Sequence, residues 1–179
     1  QPFQQFSLQL TGRNELKTVK SIDEAAPAFM FSGKVLYSGM YLNELVCRLW
    51  PDNLAAEQLF AVYLHSLQQL SLVQQGSAEL EPCLREFEFA LLTELGQPID
   101  WQHDALGNAI SSNSCYQWQT ELGFVPAAKG YSGAQLLHIG LGQWHNADVR
   151  RCAKQLSRQL LAPLLGSKPL ASRALFAAE

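Results

Sequence analysis

The spacing of apolar residues changes partway along this chain, and that change limits the possible folds more than any other feature. Phe6, Leu8 and Leu10 alternate with Ser7 and Gln9, the period of a strand with one buried face. Gly12, Arg13 and Asn14 make a turn, and Leu16 with Val19 begins a return strand. Two strands are not stable alone, so this ribbon must join other strands or pack on the rest. From Ile22 onward the period is helical. Leu36, Met40, Leu42, Leu45, Val46 and Leu49 form one stripe, stopped by Pro51. Leu59, Val62, Tyr63, Leu67 and Leu70 form a second, ending near Gly76. Leu84, Phe87, Leu91 and Leu95 form a third, with Glu79 and Glu81 at its positive N-terminus and Gly96 as its stop.

Residues 97–130 break the helical pattern. Pro98, Gly107-Asn108 and Ser111 are loop signals, and Tyr116 and Trp118 alternating with Gln117 and Gln119 suggest a short hairpin. Beyond it, Ser132 is placed to cap a helix over 134–141 and Asn146 one over about 147–161, with Pro163 and Gly166 near its end. Residues 170–177 make a last short helix. The reading is mainly α: a helical domain over 23–179 with a small irregular or β insertion at about 97–130, preceded by strand residues 1–22.

A chain of 179 residues, 47% hydrophobic and 16% charged, is globular and long enough to bury a core. No apolar run approaches the length of a membrane helix, and the first residues lack the basic-then-apolar order of an export signal. Residue 1 is Gln, and the chain opens in a strand, so further residues are expected upstream. Cys47, Cys83, Cys115 and Cys152 form no CxxC pair; Cys47 and Cys83 sit among apolar helical residues as small buried thiols, which fits a reducing cytoplasm.

The net charge of −3 is unevenly spread. Residues 1–20 carry net +2 and residues 147–179 net +4, whereas 21–146 carry four basic against thirteen acidic groups. A nucleic acid or an acidic peptide would therefore meet the ends of the chain rather than its middle. At one end are Arg13, Lys17 and Lys20; Lys17 and Lys20 differ by an odd number, so an ideal strand points them to opposite faces. At the other, Arg151, Lys154 and Arg158 recur at i, i+3, i+7 on one helical face beside Arg150. Arg85 stands alone between Arg48 and Lys129. The plain reading of each is a solvated charge: a surface pair of Arg85 with Glu81, an ordinary helix face, and strand edges guarded against pairing.

No catalytic motif is present: there is no GxSxG, P-loop or HExxH, and His65, His138 and His145 lack a nucleophile motif nearby. The insertion offers only His103, Asp104 and Cys115 as metal ligands, short of the four of a structural zinc. No metal and no cofactor are expected, so Trp101, Tyr116, Trp118 and Phe124 must hold the insertion. Gly39 inside the first helix permits close packing.

Five separated segments then agree in order with one family. QPF at 1–3, LKTVKS at 16–21, LYSGMYLNELVCRLW at 36–50, LREFEFALLTELG at 84–96 and GSKPLASRALF at 166–176 closely resemble RecO, a family of bacterial recombination mediators. The resemblance implies that residues 1–22 are the last strands of an OB-fold, followed by the helical domain. It implies a non-enzymatic protein of DNA repair in the bacterial cytoplasm, at the nucleoid. Such proteins are recruited by the C-terminal tail of single-stranded DNA-binding protein, SSB, act with RecR, help load RecA and anneal single strands. The tail is acidic and ends in an apolar residue with a free carboxylate, so Arg85, with Phe89 and Leu92 one and two turns on, is the expected receptor. Arg151, Lys154 and Arg158 would take its acidic residues, and Arg13, Lys17 and Lys20 would contact single-stranded DNA. Some RecO-like proteins carry a four-cysteine zinc site in the insertion, a pattern from which this chain departs. The alternative is a helical protein-interaction scaffold without DNA binding of its own.

Overall fold

A computed structural model describes residues 2–13, 16–52 and 54–176. The ribbon pairs β1 (Phe6–Thr11) with β2 (Thr18–Glu24) in antiparallel register, Leu8 opposite Ile22 and Leu10 opposite Val19. Asn14 of the expected turn lies outside the described residues. Gln9 pairs with Ser21 and Leu10 with Val19, so Lys20 is an extra, unpaired residue, a β-bulge. The bulge corrects the parity argument made for Lys17 and Lys20. Val19 and Ile22 differ by an odd number, yet both face the Leu8–Leu10 side of the ribbon. That face, Phe6, Leu8, Leu10, Val19 and Ile22, is 43–58% exposed.

The helical body follows as α1 (Gly33–Leu49), α2 (Glu57–Gln74) and α3 (Leu80–Glu94). Residues 115–132 form a three-stranded sheet in the order β4-β3-β5, from β3 (Cys115–Gln119), β4 (Gly123–Ala127) and β5 (Tyr131–Ser132). The expected hairpin is β3–β4; β5 was not foreseen. Helices α4 (Gly133–Gly140), α5 (Ala147–Leu165) and α6 (Ala171–Leu175) complete the chain. Asn146 caps α5 by accepting from the Asp148 amide at 2.8 Å, whereas Ser132 occupies the cap position of α4 without a side-chain cap bond. Pro163 falls in the last turn of α5, and Gly166 ends it with φ +65°.

The core runs between α1, α2, α3 and α5, with Leu42, Leu45, Leu70, Phe87, Leu91, Leu156 and Leu161 all but inaccessible. The insertion docks through Trp101, which meets Phe89 edge-on at 5.1 Å and lies against Gly140, where a Cβ would come within 2.4 Å of it. Trp118 packs edge-on to Phe124 at 5.1 Å, and Tyr116 accepts a hydrogen bond from the Ser111 amide. Two carboxylates also hold the insertion's turns. Asp104 accepts from the amides of Leu106 and Asn108, and Asp100 from those of Gln102 and His103. Those amide bonds, that of Gln102 foremost, hold the Asp100 carboxyl below its ordinary range.

Candidate functional site

Helix α1 is where the separated segments meet. Phe3 is 92% withdrawn from solvent and its ring sits on Gly39; a Cβ there would lie 2.7 Å from it. The close approach that Gly39 permits is thus to an aromatic ring from before the ribbon, not to another helix. Further along, Lys34, Tyr37, Tyr41, Glu44 and Arg48 share one stripe of α1 by helical spacing. Glu44 accepts from the amides of Ala171 and Ser172 and from the Ser172 hydroxyl at 2.6–2.9 Å, which ties down the start of α6. Arg48 donates to the carbonyls of Leu165, Lys168 and Pro169, which ties down the end of α5. Burial alone would raise the Glu44 carboxyl, but the Ser172 and Ala171 donors and the Arg48 charge outweigh it and hold it low.

From the same stripe, and turned inward, the Tyr41 hydroxyl donates to Glu88 at 2.7 Å. Glu88 is inaccessible and forms an ion pair with Arg85 at 2.8 Å; Arg85 also donates to Ser157 at 3.0 Å. Burial, then the Glu88 carboxylate, push the Tyr41 phenol far above its ordinary range, so it stays a donor. One buried polar chain therefore joins α1, α3 and α5.

The residues of the expected receptor take these places in the fold. Arg85 is 6% exposed and pairs with Glu88, not Glu81, so its two terminal nitrogens are already engaged. Leu92 is a core residue, 1% exposed. Phe89 is half-buried between the core and Trp101. The α5 stripe is also largely taken up: Arg150 pairs with Glu79 and Glu81, Arg151 with Asp148, and Lys154 with Glu81. Among the described residues only Arg158 of that stripe makes no ion pair. Arg13, Lys17 and Lys20 are exposed on the ribbon, where Lys17 donates to the Gly12 carbonyl. Sequence reasoning missed Tyr41, Glu44, Arg48, Glu88 and Ser157; their signal is polar residues recurring at helical spacing at the edge of an apolar stripe.

Two clefts open elsewhere on the surface. One, about 430 Å³, lies between Trp101, Leu137 and Leu141. The other, about 330 Å³, opens between α2 and α3 at His65, Cys83 and Glu86. Burial pushes the Cys83 thiol up to about 12, so it is a protonated, inert group, and Glu86 is held by the Trp144 indole at 2.7 Å. Cys47, expected to be buried, is exposed. Among the described residues, no group of three or more His, Cys, Asp or Glu is placed to hold a metal ion, and no helix is long and apolar enough to cross a membrane.

The family model described as the C-terminal part of recombination protein O matches residues 30–174, the whole span from α1 into α6. The chain belongs to the RecO family. It is 40% identical to the DNA repair protein RecO of Pseudoalteromonas translucida over its full length, covering 77% of that protein. It is 38% identical to that of Escherichia coli K12 over 98% of the chain, covering 74% of the relative. Its role lies in DNA repair and recombination, and the mainly α body with small antiparallel sheets is the family's helical domain.

Proposed function

We propose that this RecO family member is a recombination mediator that makes and breaks no covalent bond. It is recruited by the acidic tail of SSB, works with RecR to help load RecA on single-stranded DNA, and anneals complementary strands. What carries the reading is the extent of the likeness, which runs through the helical body and into the ribbon.

In this reading the tail lies on the α3–α5 face. Its apolar end rests over Phe89, above Leu92, and its acidic groups exchange with the exposed pairs of Lys154 and Arg151 and meet the unpaired Arg158. Arg85 is then a positioning residue that ties α3 to α5 beneath the peptide. The ribbon belongs to an OB-fold, a reading its open apolar face supports, and Arg13, Lys17 and Lys20 contact phosphates there.

Fluorescence anisotropy with a labelled SSB-tail peptide tests the recruitment. Lys154→Gln with Arg158→Gln should weaken binding by about 1.5 kcal/mol or more, the worth of a charge-assisted hydrogen bond, with the circular dichroism spectrum unchanged. Equal binding by parent and variant would move the tail elsewhere. The neutralised α5 stripe favours a second reading, a scaffold that binds protein only; it predicts no salt-dependent binding to an oligonucleotide.

A further inference from the structure

The cations that the sequence groups on α5 are mostly neutralised by acidic neighbours, whereas a set scattered in sequence is free. Among the described residues, Lys34, Lys168 and Arg173 are exposed and make no ion pair or side-chain hydrogen bond. Tertiary packing brings Lys34 and Arg173 to one seam. Helix α6 lies antiparallel along the α1 stripe: its start is held at Glu44, and Phe176 at its end meets Tyr37 edge-on at 5.8 Å. Arg173 therefore stands level with Tyr41, whose phenol feels its charge. Lys34 lies one turn beyond Tyr37 on the same stripe. The seam reads Lys34, then the half-exposed rings of Tyr37 and Phe176, then Arg173, with the cations about 10 Å apart at helical rise, roughly three nucleotide steps. The acid on this stripe, Glu44, is occupied by α6 and by Arg48.

We propose that the α1–α6 seam is a contact strip for single-stranded nucleic acid, with Lys34 and Arg173 on phosphates at either end of a short run of bases and Tyr37 and Phe176 as the stacking surface between them. Alternating cations and aromatic rings suit this ligand because every base has a π face and every linkage a charge. Glu44 and Arg48 are positioning residues, since they set the seat of α6 from which Arg173 projects. The strip rests on the reading that this chain meets single-stranded DNA, but it places that contact on the helical body, apart from the ribbon.

The test is anisotropy of a fluorescein-labelled oligothymidylate against the full chain over a salt series. Parent, Lys34→Gln/Arg173→Gln, Tyr37→Leu and an Arg13→Gln/Lys17→Gln/Lys20→Gln ribbon variant are compared, each checked for folding by circular dichroism. The strip predicts that Lys34→Gln/Arg173→Gln loses about tenfold in affinity at low salt and that its log–log salt slope falls by about 1.4, two single-strand contacts. It also predicts that Tyr37→Leu loses about fivefold or more, and that SSB-tail peptide binding is untouched in both. If the parent binds and both seam variants bind equally well, the strip is wrong while the mediator reading stands. If the folded parent binds no oligonucleotide at any salt, both fall. If an oligoglutamate peptide binds the seam and the oligonucleotide cannot displace it, the partner is an acidic protein and the strip is again wrong.

Discussion

The α1 hub and the β1–β2 ribbon are built on opposite principles. In the hub, polar side chains are buried and tied to one another: Tyr41 to Glu88, Glu88 to Arg85, Arg85 to Ser157. In the ribbon, apolar side chains are exposed and the pair is held mainly by backbone bonds, with exposed bonds from Thr11 to the Thr18 carbonyl and from Lys17 to that of Gly12 beside them. A buried charge tolerates no loss of its partner, because the one left behind stays in a medium that solvates it poorly. An exposed leucine loses little when replaced, because it was never withdrawn from water. The hub should therefore be brittle and the ribbon face permissive.

The sharpest way to break that contrast is Glu88→Ala, which strands the Arg85 charge. It should cost about 3–5 kcal/mol, read from the urea midpoint; a near-neutral result would mean the hub does not hold the body. Next is Gly39→Ala, the one point where ribbon-side chain and hub interlock. The added methyl meets the Phe3 ring and should cost about 1–3 kcal/mol. Part of that loss should vanish in the Phe3→Leu background, since the two sites share one contact.

Glu44→Gln tests the edge of the hub and should cost about 1 kcal/mol at neutral pH, the scale of a lost helix cap. Its pH dependence has a definite sign. The folded carboxyl lies below its ordinary 4.5, so its contribution is complete above that value and fades as pH falls through the lower folded one. Thermal melts of the parent should lose stability in that acid window, and those of Glu44→Gln should lose less. The smallest effect belongs to the ribbon: Leu8→Ser with Ile22→Ser should shift the folded chain's stability by only about 0.5 kcal/mol. A large loss in the same melts would mean that this face is covered in solution.

Much of the fold was legible in order and type. The Leu36–Leu49 stripe, the stop at Pro51, the Asn146 cap and the Tyr116–Trp118 alternation each correspond to an element of the structure, because helix and strand periods are local properties of the chain. The site was less legible. Arg85 looked like a lone cation open to a carboxylate, yet its partner Glu88 sits on the same helix three residues on and its other partner, Ser157, is 72 residues away. The α5 stripe looked like a free basic face, yet Lys154 and the neighbouring Arg150 meet acids from the start of α3, and Arg151 meets Asp148 of its own helix.

By itself the sequence determined the family, the mainly α body with a strand pair before it and a small sheet inserted in it, and the residues that carry charge. Only the tertiary structure decided which of those charges are spent and which are available. It buried Arg85, neutralised Arg150 and Lys154, and brought Lys34 and Arg173 to the two ends of one α1–α6 seam. The reason is physical: periodicity follows from backbone geometry, which repeats every few residues. Whether a charge is free depends on what packs within a few ångströms of it, and most such neighbours are distant in sequence.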